Sequence, residues 1–371
     1  MGERVLVTGG AGFIGRAVTK ELLNRGNEVR VLDSLIEQVH GDRERPEDFP
    51  DDAELIVGDI RNKDVVGHSL KDIDSIIHLA AEVGVGQSMY AVERYTSVNE
   101  TGSAVLFEAL IDRPVRRVVT ASSMSIYGEG LYEDADGKLV QNAERKARTS
   151  DTQSWDPLDT EGRPLTPIPT PEWKQPSLAS IYALGKYVQE RQTLIMTQAY
   201  GMEGTCLRLF NVYGPGQALS NPYTGVLAIF SSRLLNGQPP LIFEDGEQRR
   251  DFVYVGDVAR AFCDALVNPQ ANGEVFNIGS GVDRNVKDVA QSIARALQRN
   301  AIEPEIAAKA RVGDIRHCFC DGSKAADKLG FRAEKDFDEG IAELAEWVAR
   351  QSASDRVDEA RAELEAKGLV A

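Results

Sequence analysis

The sequence is poor in the residues that build disulfide frameworks, metal centres and membrane spans. Among 371 residues there are four cysteines, Cys206, Cys263, Cys318 and Cys320, too few and too scattered to staple a scaffold. Cys318 and Cys320 stand two apart in a strand-like stretch and share a face, but no second Cys or His pair lies at zinc spacing. The four histidines form no His-Glu-x-x-His arrangement, so no metal is expected. No run approaches the roughly 20 apolar residues that cross a bilayer. Met1-Gly2-Glu3-Arg4 leads straight into a strand-like segment without a signal-peptide core, and a cytoplasmic protein is the expectation. Positive charge is also short: 42 Lys and Arg face 58 Asp and Glu, a net charge of -16. Such a surface repels phosphate backbones and argues against nucleic acid or anionic lipid as a general partner. It leaves room for a local basic pocket around a small anion.

What is present is the mix of a globular chain, 42% hydrophobic and 27% charged. Short apolar runs at Arg4 to Thr8, Glu28 to Asp33, Ala53 to Val57, Ser75 to Ala80 and Arg116 to Ala121 read as strands buried on both faces. Helical patterns separate them, from Phe13 to Arg25, where Gly26 ends the helix, and from Met89 to Ile111. This alternation predicts an α/β fold with a doubly wound parallel sheet. The pattern breaks at Gly130 to Pro176, a polar stretch with six of the 15 prolines between Pro157 and Pro176. It reads either as a solvated excursion or as a lid or partner-contacting flap. Helical periodicity returns from Leu178 to Tyr200 and from Val286 to Gln298, with a strand at Thr205 to Phe210 between them. A charged tail, Ala353 to Lys367, is helix-prone and expected to cover the surface.

Thr8-Gly9-Gly10-Ala11-Gly12-Phe13-Ile14-Gly15 lies between the first strand and the first helix. Gly9, Gly12 and Gly15 let the backbone turn, approach a pyrophosphate and pack helix on strand. Asp33 ends the second strand 18 residues after Gly15, where a carboxylate accepts from the adenosine ribose hydroxyls and repels a 2′-phosphate. NAD rather than NADP is the predicted cofactor. Asp59 either reaches the adenine edge or caps a helix. The small residues of His78-Leu79-Ala80-Ala81 suit a strand end passing close to the dinucleotide, with His78 a packed residue rather than a catalytic one.

Tyr182-Ala183-Leu184-Gly185-Lys186 puts a phenol and an ammonium at i and i+4 on one helix face. The pair gains meaning from Ser122-Ser123-Met124-Ser125-Ile126-Tyr127-Gly128 at the carboxyl end of a strand, the edge where open parallel sheets bind ligands. A hydroxyl, a Tyr-Lys pair and a nicotinamide make a site for proton and hydride transfer. Lys186 and the oxidised nicotinamide, both positive, are expected to lower the Tyr182 pKa toward working pH.

Together these residues resemble the extended short-chain dehydrogenase/reductase family, in particular its nucleotide-sugar 4-epimerases, over about residues 3 to 350. The resemblance implies a Rossmann NAD-binding domain over 1–205 carrying the insertion 130–176, a smaller, interleaved α/β substrate lobe over 206–350, and a helical tail over 351–371. It implies cofactor contacts from Gly9, Gly12, Phe13, Ile14, Gly15, Asp33, Asp59, Ile60, Leu79, Ala80, Ala81, Asn99, Tyr182 and Lys186. Ser123, Tyr182 and Lys186 are the implied catalytic residues. Asn211, in Leu209-Phe210-Asn211-Val212-Tyr213-Gly214, Arg250, in Gln248-Arg249-Arg250-Asp251, and Arg311, in Arg311-Val312-Gly313-Asp314, are implied to hold a substrate diphosphate, with Ser123 on the sugar. Family members that dehydrate the sugar carry Asp-Glu directly after the catalytic hydroxyl residue; Met124 and Ser125 stand there, which disfavours dehydration. C4 epimerisation through a 4-keto sugar, with no net redox change, is the implied reaction. The segments from Ser123 to Gly130, Asn221 to Val226 and Gly313 to His317, with the insertion, are similar to the branch that interconverts dTDP-L-rhamnose and dTDP-6-deoxy-L-talose. The insertion is expected to cap the sugar. UDP-glucose, UDP-galactose or UDP-N-acetylhexosamine is the alternative substrate; a net oxidoreductase and a non-catalytic NAD sensor are the other readings. A homodimer through helices near Met89 to Ile111 and Leu178 to Tyr200 is implied as well.

Overall fold

A computed structural model describes residues 2–41, 44–145, 155–223, 225–311, 313–351 and 355–370. Thr224, Val312, residues 146–154 of the insertion and the expected tail start at Ala353 lie outside the described residues. Seven parallel strands form the main sheet, in the order Glu274–Ile278, Glu203–Leu209, Arg117–Ser123, Ser75–His78, Arg4–Thr8, Glu28–Asp33, Glu54–Val57. The strand order reverses direction between Arg4–Thr8 and Ser75–His78, and at that point a crevice opens at the carboxyl ends.

Helices cover both faces, which is why the strand runs are continuously apolar. Val5 and Val7 pack into one cluster with Val18, Leu22, Val258 and Phe262, while Leu6 between them packs on the other face with Ile76, Leu106 and Val118. The period-2 alternation of a strand thus feeds two cores. A smaller sheet pairs Asn211–Tyr213 with Arg249–Tyr254, which also pairs with Asp283–Asn285 and His317–Cys318. It shares a third core with helices Val226–Leu235, Val286–Ala296 and Phe337–Val348.

Three expectations are corrected. The fourth strand ends at His78, two residues early. The single helix expected over Met89 to Ile111 is broken into Val92–Thr96, a π-turn at Ser97–Thr101 and Gly102–Asp112. The wide turn brings Asn99 inward, where its amide binds the backbone of Glu82. The described part of the insertion does not line the cavity expected for the sugar: Leu131–Glu133, Leu139–Val140 and Thr166–Ile168 form an antiparallel sheet away from it. It docks instead on residues 316–321, with Thr170 N donating to Phe319 O at 2.8 Å and Asp156 accepting from Arg316 at 2.7 Å.

Candidate active site

At the switch point the chain turns at Gly9, which takes a φ of +70° that favours glycine. A Cβ on Gly15 would stand 2.5 Å from Gly10 Cα, so only glycine lets the first helix start flush against the loop. That helix, Phe13–Asn24, has Gly12 as its N-cap, no side-chain cap and no acid in its first turn. Its first amides remain as donors at the positive end of the helix dipole, the arrangement that binds phosphate. Asp33 is buried, its two oxygens accepting from Ala11 N at 3.0 Å and Leu35 N at 2.9 Å, with lone pairs left for ribose hydroxyls. Arg16, which the motifs did not single out, donates to Ala11 O and Gly216 O, both at 2.7 Å, and so ties this loop to the far wall.

The crevice is one cavity of about 980 Å³. Gly9, Gly12, Phe13, Ile14, Gly15, Asp33, Asp59, Ile60, Leu79, Ala80 and Ala81 line it, together with Ser123, Tyr182, Lys186, Asn211, Arg250 and Arg311. Asn99 does not line it: it is fully buried, with its Oδ1 accepting from Glu82 N at 2.7 Å. Asp59 caps no helix, because Asn62 is the cap of Lys63–Ser69; its carboxylate pairs with Arg61, at 2.6 Å, which holds it below the usual carboxylate range. His78 is packed, its nitrogens 2.7 Å from Thr8 Oγ1 and 2.9 Å from Ser103 Oγ, and burial pushes it down to about 3, so it stays neutral.

Tyr182 sits in the first turn of helix Ile181–Ala199, whose N-cap Ser180 accepts from Ala183 N at 3.1 Å. The helix is tied to strand Arg117–Ser123 by Thr193 with Thr120, at 2.8 Å, and by Glu190 accepting from Ser122 at 2.8 Å. These links set the Tyr182 and Ser123 hydroxyls on the same wall of the cavity, where Ser123 is near enough to pull the phenol's pKa down. Ser125, set aside as unable to do acid-base chemistry, donates to Ser123 Oγ at 2.9 Å and extends the hydroxyl chain.

The expected lowering of the Tyr182 pKa is not what the protein itself imposes. Burial pushes the phenol up, and the Ser123 hydrogen bond only partly offsets it. Lys186 is turned to Gln189, donating to Oε1 at 2.6 Å, while Gln189 donates to Ser103 Oγ at 2.9 Å. Burial lowers the Lys186 ammonium to about 7. Gln189 stands three residues after Lys186 and seven after Tyr182, on the same helical face, so its spacing was there to be read.

On the opposite wall, Arg250 donates to Arg316 O at 2.9 Å and to Ile315 O, and Arg311 lies 4.5 Å over the Phe243 ring with Asp314 at 2.8 Å. The two guanidiniums give an acidic protein its cationic pocket. Asn211 Oδ1, Gln217 Oε1 and Gln248 Oε1 are buried without a partner, and their residues line the same cavity. Buried polar groups are normally satisfied, so these await a ligand. The tail is a further correction: it does not merely cover the surface, since helix Val357–Ala366 also lines the cavity.

A parallel sheet with this loop, this aspartate and a Ser-Tyr-Lys group on its carboxyl edge defines a dinucleotide-dependent enzyme of the Rossmann class. The sequence profile described as "NAD dependent epimerase/dehydratase family" matches residues 5–150 and 161–279. The chain belongs to that family, and its cofactor is NAD. It is 36% identical over 354 residues to a dTDP-L-rhamnose 4-epimerase of Burkholderia thailandensis, covering 94% of this chain and 96% of the relative. It is 32% identical to a UDP-glucose 4-epimerase of Mycolicibacterium smegmatis, covering 94% and 99%. The crystal structure of Thermus thermophilus UDP-glucose 4-epimerase in complex with NAD matches with a TM-score of 0.75 and 30% identity, over 94% of this chain and all of that one, its coverage being 100%. Among the described residues no helix is long and apolar enough to cross a membrane.

Proposed function

We propose that the protein is an NAD-dependent 4-epimerase of a nucleotide-diphospho-sugar that interconverts dTDP-L-rhamnose and dTDP-6-deoxy-L-talose. One observation carries this reading. The Ser123–Tyr182 hydroxyl pair, the glycine loop and the two guanidiniums share a single cavity, with Met124 and Ser125 where a dehydratase needs two acids. Gly9, Gly12, Phe13, Ile14, Gly15, Asp33, Asp59, Ile60, Leu79, Ala80 and Ala81 would hold the cofactor, with Tyr182 and Lys186 lining the same cavity. Bound NAD supplies a reversible acceptor for the hydrogen on the sugar C4.

Tyr182 removes the proton of the 4-hydroxyl, and Ser123 holds the same oxygen. Lys186, while charged, favours phenolate over phenol. Arg250 and Arg311 grip the diphosphate and Asn211 lies beside it, so the keto sugar turns about a fixed end and presents its other face. Tyr182 then returns the proton. The division into a nucleotide-binding domain over 1–205, a substrate lobe over 206–350 and a tail fits this split between holding cofactor and holding substrate.

A panel of sugar nucleotides tests the substrate. Conversion of dTDP-L-rhamnose without added reductant, with the product stereochemistry read by NMR, is the expected result. Turnover of UDP-glucose or UDP-N-acetylglucosamine alone would establish the second reading, which the mycobacterial relative favours. The reading includes a homodimer: helices 92–112 and 181–199 expose Val92, Ile111, Leu184 and Ile195, apolar area that a second copy would cover. Light scattering is expected to give twice the chain mass, and a monomer mass would remove the dimer. All four cysteines are free and buried, in keeping with a reducing cytoplasm.

A further inference from the structure

Residues 355–370 close a side of the cavity that the two sheets leave to them. Val357, Ala360, Arg361 and Leu364 line it, at i, i+3, i+4 and i+7 of one helical face. Beyond that face, Glu363 is the point of attachment. Tyr90 Oη and Tyr223 Oη lie 2.9 and 3.2 Å from the same Glu363 oxygen and 2.7 Å from each other. Lys367 Nζ stands 4.9 Å from the Tyr90 ring centroid, one helical turn beyond Glu363. Tyr90 follows the turn Val85–Ser88 on the dinucleotide side, whereas Tyr223 belongs to the loop that lines the substrate side. A single carboxylate therefore joins the tail to both walls. Further on, Glu365 pairs with Lys309 at 3.0 Å, and Val370 forms a backbone bridge to Arg311, one of the two guanidiniums of the anion pocket.

The charges on the helix are sorted. Asp358 pairs with Arg233 at 3.2 Å, Glu359 with Arg356 at 3.1 Å, Glu363 with the phenols and Glu365 with Lys309. Each of the four carboxylates has a partner, and the residue of charge that lines the cavity is the cation, Arg361. An acidic helix thus turns its one guanidinium to the cavity that Arg311 also lines, with Arg361 held by Glu365 at 3.1 Å and Glu305 at 4.0 Å.

We propose that this helix is a wall of the substrate site that takes the nucleoside-diphosphate end of the sugar nucleotide, and that Glu363 is the positioning residue that seats it. The inference rests on the sugar-nucleotide reading above. Holding the nucleotide end is uniform binding, felt equally by substrate and transition state, so its loss raises KM and leaves kcat unchanged.

The test uses the full chain with Glu363→Ala and, separately, Tyr90→Phe, which removes a phenol that does not itself line the cavity. Calorimetry with dTDP and UDP is run beside steady-state kinetics on whichever sugar nucleotide turns over. Expected are a Kd and a KM weakened by about tenfold in Glu363→Ala and a smaller shift of the same sign in Tyr90→Phe, with kcat and bound NAD retained. Wild-type-like Kd and KM in both variants would overturn the inference, as would a fall in kcat with unchanged KM. If Glu363→Ala does not fold, Tyr90→Phe decides alone, with an unchanged Kd counting against. Failure of the wild-type protein to bind either diphosphate would instead refute the sugar-nucleotide reading, so the two failures are distinct.

Discussion

Replacing Tyr182 with phenylalanine is expected to leave a folded protein with its NAD and a turnover lower by about 10²- to 10⁴-fold, the range spanned by a positioned acid-base group. The substitution removes one oxygen from the rim of the cavity and leaves the helix that carries it intact. Ser180 still caps that helix and Glu190 still anchors it. What disappears is the phenolic hydroxyl near Ser123. The remaining hydroxyls, Ser123 and Ser125, are aliphatic alcohols, far weaker acids than a phenol. They do not replace a phenol as base. The check is turnover measured beside the absorbance of bound NAD; activity within tenfold of the parent, at full NAD content, would remove Tyr182 from the mechanism.

Arg208→Met is expected to lower the stability by about 3–5 kcal/mol, the cost of leaving one member of a buried pair unpartnered. Arg208 and Glu190 are 5% and 1% exposed, and the guanidinium meets both carboxylate oxygens, at 2.7 and 2.9 Å. The same guanidinium donates to Tyr127 Oη at 2.9 Å and lies 4.9 Å from that ring's centroid. Glu190 also accepts from Ser122, the neighbour of Ser123. Methionine fills the volume and leaves the carboxylate without its counter-charge in a site with almost no water. A denaturation midpoint close to the parent's would contradict the assignment. Combining the change with Glu190→Gln should recover part of the loss, since it removes the stranded charge, and the double-mutant cycle measures the coupling.

The sequence and the structure agree most closely where short range decides. The Gly9, Gly12, Gly15 turn, Asp33 and the Tyr182, Lys186 pair were legible because each is set by local geometry: a turn that admits no Cβ, a strand end, one helical turn. The strands of the main sheet were legible within two residues for the same reason, apart from Glu274–Ile278, whose place at the sheet edge depends on a long return of the chain. The burial of Asn99 against Glu82 was not legible because a π-turn, which no periodicity announces, carries it inward. The docking of the insertion's described residues on 316–321 was not legible, because its prolines and charges speak of a loop and not of what the loop touches. The tail showed a helical pattern, but Val357, Ala360 and Leu364 read equally well as a stripe on any surface.

By itself, then, the sequence determined the class of sheet, the glycine loop, the carboxylate that ends the second strand and the chemical types gathered at the carboxyl edge, since all of these follow from spacing along one or two elements. The tertiary structure alone decided that the insertion braces residues 316–321 and that the last helix walls the cavity. Those facts join residues dozens to hundreds of positions apart, as Tyr90 is joined to Glu363 across 273. Contacts at that separation depend on how whole elements pack, and no local pattern encodes them.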